Sequence, residues 1–577
     1  MLEEAQSARV GDDQSETQLT LTTEQTEKPV RWWEVWLVWL IALTVLLALV
    51  PHLLDKLSPP TGDEPFYLMT AISILNDHDL DESNNYENRD YWRFSPSCET
   101  MGQPNWGNVG DPPIYNVSGV LAPGLRGNCP NISIPEGVTI LPPHFTKDTV
   151  QPGNYTKHGL GLSFLIAPAY ALGGRPLVMV FLTLLAALVG VNIWLLAFET
   201  TGLRRVAWIA WLIMVFSSPL LCYAFLIFPA TPAALFLVYA WRRLRLSARA
   251  QQQGQPDWQP NGPLRAMLIG GCIGILPWLH SLYLALSFML VLYWLMGGRN
   301  FFGKLRAGWR DRSTFRLNWR GLGPSGWPPV TTIFLLVPLI LLGGLFLYYY
   351  MWLYGSPLPN TQDHAGFAAP WDIPLGLLGL LFDQKYGLFI YGPFYLLAFT
   401  GLVHMGRSTA DPEENAARRS DLAWLAAVSL PYVLIIGDYN QWWGEWGPPA
   451  RYLVPVLPLL AVPLSLALCE LNRSLFFKIF GGVATVWTLA VSVLYMYNPH
   501  LMYNWQNTKP AIVLLWLENN FDFLAKAGLG RFLPSYVTDL DINNKQANWP
   551  AALVWLGLAL VIGYFLARLR QRKTLTV

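Results

Sequence analysis

Runs of about twenty consecutive apolar residues recur along this chain of 577, and no other feature constrains its fold so strongly. Within lipid there is no water to satisfy a bare backbone, so each such run must be a helix that pairs its own N–H and C=O groups. The composition fits: 53% of residues are hydrophobic and 13% charged, where a soluble domain carries about a quarter charged. The fold class expected is therefore an all-α polytopic membrane protein. A net charge of +1 says nothing about partners. No Lys/Arg-rich stripe is interleaved with aromatics in a polar segment, which argues against a nucleic-acid partner.

The first run opens at Arg31-Trp-Trp and continues to about Leu54, with no cleavable signal before it, so it reads as a retained first helix. Further spans fall near 176–199, 220–241, 330–354, 386–405, 450–469, 476–497 and 550–569, with shorter ones near 205–218 and 422–437. Residues 264–296 form one long apolar run flanked by basic residues on both sides: Arg242, Arg243 and Arg245 before it, Arg299, Lys304 and Arg306 after it. A single span would put those flanks on opposite faces, against the positive-inside rule, so Pro277-Trp-Leu-His is read as a turn between two short helices. The expectation is about twelve helices with both termini cytoplasmic. The Arg204-Arg205 pair, the 242–265 and 297–320 loops, 407–419 and the 568–573 tail then all lie inside.

This topology divides the chain into a disordered tail (1–30), the first transmembrane helix (31–56), a large extracytoplasmic loop (57–175), a transmembrane core module (176–354) and a C-terminal transmembrane module (355–497). An extracytoplasmic segment (498–549) and a last helix with its basic tail (550–577) complete it. Within the loop, Glu64–Asn76 carries apolar residues at Phe66, Tyr67, Met69, Ile72, Ile74 and Leu75, predicting a short amphipathic helix on the membrane surface. Residues 83–155 read as an irregular lobe, and 159–172, apolar but too short to span, as a second interfacial or re-entrant helix. Of the five cysteines, Cys222, Cys272 and Cys469 lie in apolar runs and suit buried packing. Cys98 and Cys129 share the outer loop, where a disulfide between them is one reading and two separate thiols the other.

Candidate functional residues gather on the predicted outer face. Asp63 and Glu64 stand where the chain leaves its first helix, and ionised groups beside a bilayer call for a partner or a substrate. The competing reading is a solvated helix end or a cap on the next helix. Asp77, Asp79 and Asp81 alternate like the oxygen ligands of a calcium loop, yet the glycine and closing glutamate of such a loop are missing, and a solvated acidic turn fits as well. Lys157, His158, His280, Lys385 and Arg451 could form a cationic set that holds a phosphate. Taken singly, His280 suits a packed core and Arg451 a snorkelling anchor. Trp442, Trp443 and Glu445 suit sugar or acceptor contacts, although tryptophan also populates membrane interfaces. Asn116, Asn131 and Asn154 head Asn-x-Ser/Thr triplets in the outer loop.

These residues resemble the GT-C superfamily of glycosyltransferases that use polyprenyl-phosphate sugars, which includes protein O-mannosyltransferases and lipid A aminoarabinose transferases. The resemblance rests on Gly62-Asp-Glu-Pro-x-Tyr after the first span, on Tyr155-Thr-Lys-His158 before an apolar helix ending Leu172-Gly-Gly, on Leu276-Pro-Trp-Leu-His280 and on Trp442-Trp-Gly-x-Trp446. The pattern resembles an uncharacterised bacterial branch of that superfamily. The implied function is transfer of a sugar to an acceptor hydroxyl at the outer face of a bacterial plasma membrane, with inversion. Asp63 would be the general base and Glu64 its support, with the leaving phosphate held by the cationic set or by a divalent cation (magnesium, manganese or calcium) near Asp77, Asp79 and Asp81. Its partners would be membrane lipid, a polyprenyl-phosphate sugar and a protein or glycan acceptor. Two departures stand out: His158 is followed by Gly-Leu where Pro-Pro is expected, and Thr231 stands where relatives carry a carboxylate. They motivate the alternative of a degenerate structural or assembly subunit in a membrane complex. A transporter would need ionisable groups at mid-membrane, and few are present.

Overall fold

The computed structural model describes residues 30–58, 60–94, 141, 143–252, 262–296, 327–357, 373–407, 412–444, 446–469, 475–504, 511–521 and 533–536, with fragments at 526 and between 553 and 564. Cys98, Cys129, Glu445, the 1–29 tail and most of 537–577 lie outside these residues, as do Asn116 and Asn131. Among the described residues the fold is helical without strands, a membrane protein in which five helices are long and apolar enough to cross a bilayer: α1 (Trp32–Lys56), α3 (Leu160–Thr201), α8 (Pro329–Tyr354), α11 (Pro412–Asp438) and α13 (Leu475–Tyr497). Between them in sequence lie α2 (Glu64–Asn76), α4 (Arg204–Val215), α5 (Ala230–Gln252), α6 (Pro263–Leu279), α7 (Leu284–Met296), α9 (Ile373–Phe382), α10 (Leu397–Gly406) and α12 (Ala461–Cys469).

The dry core runs through the lengthwise packing of α3 against α1, α4 and α5, with Trp194, Trp211 and Trp241 fully enclosed. The outer flank of α8 shows the reverse pattern, exposing Ile333, Val337, Ile340 and Leu341. On a chain of this kind such a face meets lipid, which solvates apolar side chains as well as protein does.

Several breaks decide where the functional residues go. Helix α3 is two helices joined at Gly173-Gly174, where the backbone leaves helical geometry, so 160–172 is the separate short helix expected and Arg175 opens the longer one. The 264–296 run also splits, at His280, whose extended backbone (φ −162°) follows α6; Pro277 stays inside α6 rather than making the turn. The expected span at 220–241 is not one helix. Residues 220–223 make a single turn, 224–229 run irregularly and fully buried, and helix resumes at Ala230 after Pro229, which cannot donate to a continuing ladder. Gly392-Pro393 interrupts 386–405 likewise, and α11 begins at Pro412, ten residues before the expected 422. Of the three apolar-run cysteines, Cys222 is buried while Cys469 is exposed at the end of α12.

Helix α2 departs from its expected amphipathic form. Every residue from Glu64 to Ser73 is buried, and the Ser163 hydroxyl of α3 donates to Tyr67 O at 3.0 Å, so α2 is packed between protein elements instead of lying on a membrane surface.

Candidate functional site

The segment after α1 is drawn into the protein by one tight turn. Gly62 adopts φ +61°, and a Cβ there would lie 2.6 Å from Trp446 O, so only glycine lets the 60–64 turn seat beneath the 446–450 loop. That contact fixes the acidic doublet, whose two members then part company.

Asp63 precedes α2 but does not cap it, since its side chain makes no capping hydrogen bond. It pairs instead with the Arg451 guanidinium, 388 positions on, through a close charge-assisted hydrogen bond. Arg451 lies over the Phe228 ring at 4.3 Å from its centroid and near Tyr452 at 5.6 Å. Burial pushes the Asp63 carboxyl up; Arg451, His158 and His144 outweigh it and hold the group well below the usual carboxylate range.

Glu64 turns inward. Its carboxylate accepts from Ile227 N–H at 2.7 Å and Thr61 N–H at 3.3 Å, and sits 4.0 Å from Arg175, which itself donates to Leu57 O at 2.5 Å. Burial raises its pKa, with Arg175 and the two N–H groups opposing. Glu64 therefore acts as an anchor tying the start of α2 to the buried 224–229 segment and to the kink of α3. Its support of Asp63 is positional.

Histidines complete the surround. His158 stacks on Phe66 (5.2 Å, 13°), and His144 stacks on the same ring (3.9 Å, 18°) with its Nδ1 3.4 Å from His158 Nε2. Burial and Lys157 bring His144 down to about 4, so it is neutral at neutral pH. Lys157 is tied in through its backbone N–H, which donates to His144 O at 3.0 Å. Cβ atoms at Gly159 and Gly161 would fall 2.5 Å from Leu279 O and 2.6 Å from Trp278 C, so the strand of chain leaving His158 lies directly against the end of α6, where His280 follows. The His280 ring in turn meets Tyr452 edge-on at 6.2 Å. Thus Asp63, His158, His280 and Arg451 converge through shared neighbours.

Other candidates go elsewhere. Lys385 is fully buried in a turn organised by Asp383, which accepts from the N–H groups of Lys385, Tyr386 and Tyr536. Its link to the site is indirect, through Tyr386 O, which accepts from Ala450 N–H at 2.9 Å. Trp442 and Trp443 are core residues: both are buried, their rings meet edge to face at 5.7 Å, and Trp442 fills the space a Cβ at Gly379 of α9 would need. Neither ring offers a face to a sugar.

The three aspartates do not form a metal cage. Asp77 accepts from Asn85 Nδ2 (2.6 Å), Asp79 from Ser73 Oγ (3.0 Å), and Asp81 from Ser83 Oγ (2.6 Å) and Asn154 N–H (2.8 Å). Asp77 and Asp79 thus hold the turn that follows α2, and Asp81 ties that turn to 153–155. Among the described residues no group of three or more histidine, cysteine or acidic side chains is placed to hold a metal ion, so this acidic run does not fit the divalent cation expected there. Thr231 is buried and donates to Tyr223 O at 2.6 Å, while Tyr223 donates to Pro448 O at 2.8 Å, making the substituted position a brace between α5 and the 446–450 loop.

Sequence reasoning missed His144, Arg175 and Phe228. The signal for Arg175 was a lone charge opening a long apolar run; His144 and Phe228 matter only because distant segments meet. No known family model matches this chain, and no curated protein matches it.

Proposed function

We propose that this membrane protein transfers a sugar from a polyprenyl-phosphate carrier to an acceptor hydroxyl at the outer membrane face, as the GT-C resemblance implies. The observation that carries the reading is the Asp63–Arg451 pair, set between the Phe66–His144–His158 stack and the Phe228 ring. A carboxylate held this far below its usual range is a poor base. A phosphate that takes over Arg451 changes this: losing its counter-ion raises the basicity of Asp63 just when the donor is seated. Asp63 then removes the acceptor O–H proton as the acceptor oxygen bonds to the anomeric carbon. The bond from that carbon to the phosphate oxygen breaks, and its electron pair leaves with the polyprenyl phosphate, whose charge Arg451 meets. One displacement of this kind inverts the anomeric centre.

The topology that goes with this proposal has about twelve spans, both termini cytoplasmic, in a bacterial plasma membrane.

The test is Asp63→Asn in proteoliposomes supplied with polyprenyl-phosphate hexose and pentose donors. Transfer should fall by about 10²–10⁴-fold in a protein that still folds; full transfer by the variant removes Asp63 as base. The second reading, a catalytically silent subunit of a membrane complex, draws on Thr231 being spent as a brace. Constant co-purification with one partner, and no transfer with any donor, would favour it.

A further inference from the structure

Along the second half of α5, Trp241, Arg245 and Arg249 follow one another at intervals of four, which places them in a row on one helix face. Each leaves a buried N–H without a partner: Trp241 Nε1, Arg245 Nη1 and Arg249 Nε. Trp241 and Arg245 are fully buried, and the Arg245 guanidinium lies 5.7 Å from the Trp241 ring centroid. Buried donors are paired almost without exception in folded proteins, so three in one row need a reason.

Among the described residues, both carboxylates beside the row are already engaged. Asp421 Oδ2 receives Arg245 Nε (2.9 Å), Arg245 Nη2 (2.8 Å) and Arg249 Nη2 (2.6 Å). Arg245 Nη2 also reaches Thr200 Oγ1 (2.9 Å), and Arg249 Nη1 reaches Glu199 O (3.2 Å). The Glu199 carboxylate is occupied by Arg242 Nε at 2.9 and 3.1 Å. Among the described residues, three guanidinium groups thus face two carboxylates, leaving one positive charge in excess in a largely buried place. Arg243, next in the chain, feels the positive charges of both Arg242 and Arg265.

We propose that this row is a binding site for a phosphate group, held at the end of the bundle opposite Asp63. The ligand chemistry follows from the donors: an anion rich in acceptor oxygens neutralises the surplus charge and pairs the three N–H groups together. Eight residues of helix rise about 12 Å, longer than one phosphate. A phospholipid headgroup, with ester and hydroxyl oxygens beside its phosphodiester, spans the row where a free phosphate covers part of it. The site is independent of the sugar-transfer reading.

The experiment compares the full chain in phosphatidylcholine nanodiscs, in nanodiscs containing phosphatidylglycerol, and in phosphatidylcholine with added inorganic phosphate. Thermal midpoints and lipids retained in native mass spectrometry are read for wild type, Trp241→Phe and Arg249→Lys. The first variant keeps the ring under Arg245 and removes only the N–H. The second keeps a charge for Asp421. Phosphatidylglycerol should raise the wild-type midpoint and stay bound, with affinity reduced about tenfold in each variant. Protection by inorganic phosphate that both variants lose also supports the site and makes a free anion its source. Equal midpoints in the two lipids and no effect of phosphate, or variants that keep the full effect, would overturn it.

Discussion

The two ends of the bundle each hold an arginine–carboxylate centre, and the two are built differently. Asp421 sits on the long helix α11, its side chain 5% exposed, with two arginines of α5 directed at one oxygen. Asp63 stands on a turn, 21% exposed, and meets a single arginine that also comes from irregular backbone. A buried carboxylate that pairs with two cations on packed helices cannot be exchanged without leaving charge stranded. A partly open carboxylate with one partner can be replaced by an incoming anion. The first arrangement fastens helices; the second can be opened by a substrate.

That contrast is broken most readily by its largest expected effect. Asp421→Asn should destabilise the folded protein by about 3–5 kcal/mol, since it strands Arg245 and Arg249, while Asp63→Asn should cost less than half as much. Denaturation of the two variants in one detergent measures both, and equal losses would erase the distinction.

A smaller effect probes how the open site is seated. Gly62→Ala forces a Cβ to within 2.6 Å of Trp446 O at a positive φ, so it should cost about 1–3 kcal/mol and loosen the Asp63–Arg451 contact. Transfer should fall with it, whereas Gly202→Ala, also at positive φ but with open space around it, should leave transfer intact.

A separate test of the fold beside the open site concerns pH. Glu82 is buried and accepts from Thr70 Oγ1 at 2.6 Å. Burial raises it to about 8; Thr70 opposes and Asp81 adds to the rise. A carboxyl raised on folding binds its proton more tightly in the folded chain than in the unfolded one. Stability from this group is therefore full below the ordinary glutamate value of 4.5 and declines as pH rises through about 8. Glu82→Gln, which imitates the neutral acid, should flatten that decline in thermal midpoints taken from pH 5 to 8. A slope that is unchanged in the variant assigns it to another group.

Hydropathy alone revealed that this is a helical membrane protein, because twenty-residue apolar runs have one physical solution in lipid. The breaks at Gly173-Gly174 and near Pro277 were also legible, the first from paired glycines and the second from basic flanks on both sides. The break at 224–229 was missed although Pro229 marks it; what the sequence could not show is that Ile227 N–H turns to the buried carboxylate of Glu64, 163 positions away. Within the site, Asp63, His158, His280 and Arg451 stand near one another in space, and each was named from the sequence. The fate of Trp442 was not legible, since aromatic residues near a membrane border look alike whether they line a cleft or fill one. Asp77, Asp79 and Asp81 misled for a similar reason: alternating carboxylates suit a cation or a turn equally well, and here hydroxyl and amide donors claimed them.

The most direct measurement is the affinity of undecaprenyl phosphate for wild type and Asp63→Asn in the same nanodiscs. If Asp63 occupies the place on Arg451 that the donor phosphate takes, the variant binds more tightly than wild type, and Arg451→Gln binds more weakly than either. Binding that is unchanged or weakened by Asp63→Asn would contradict the account.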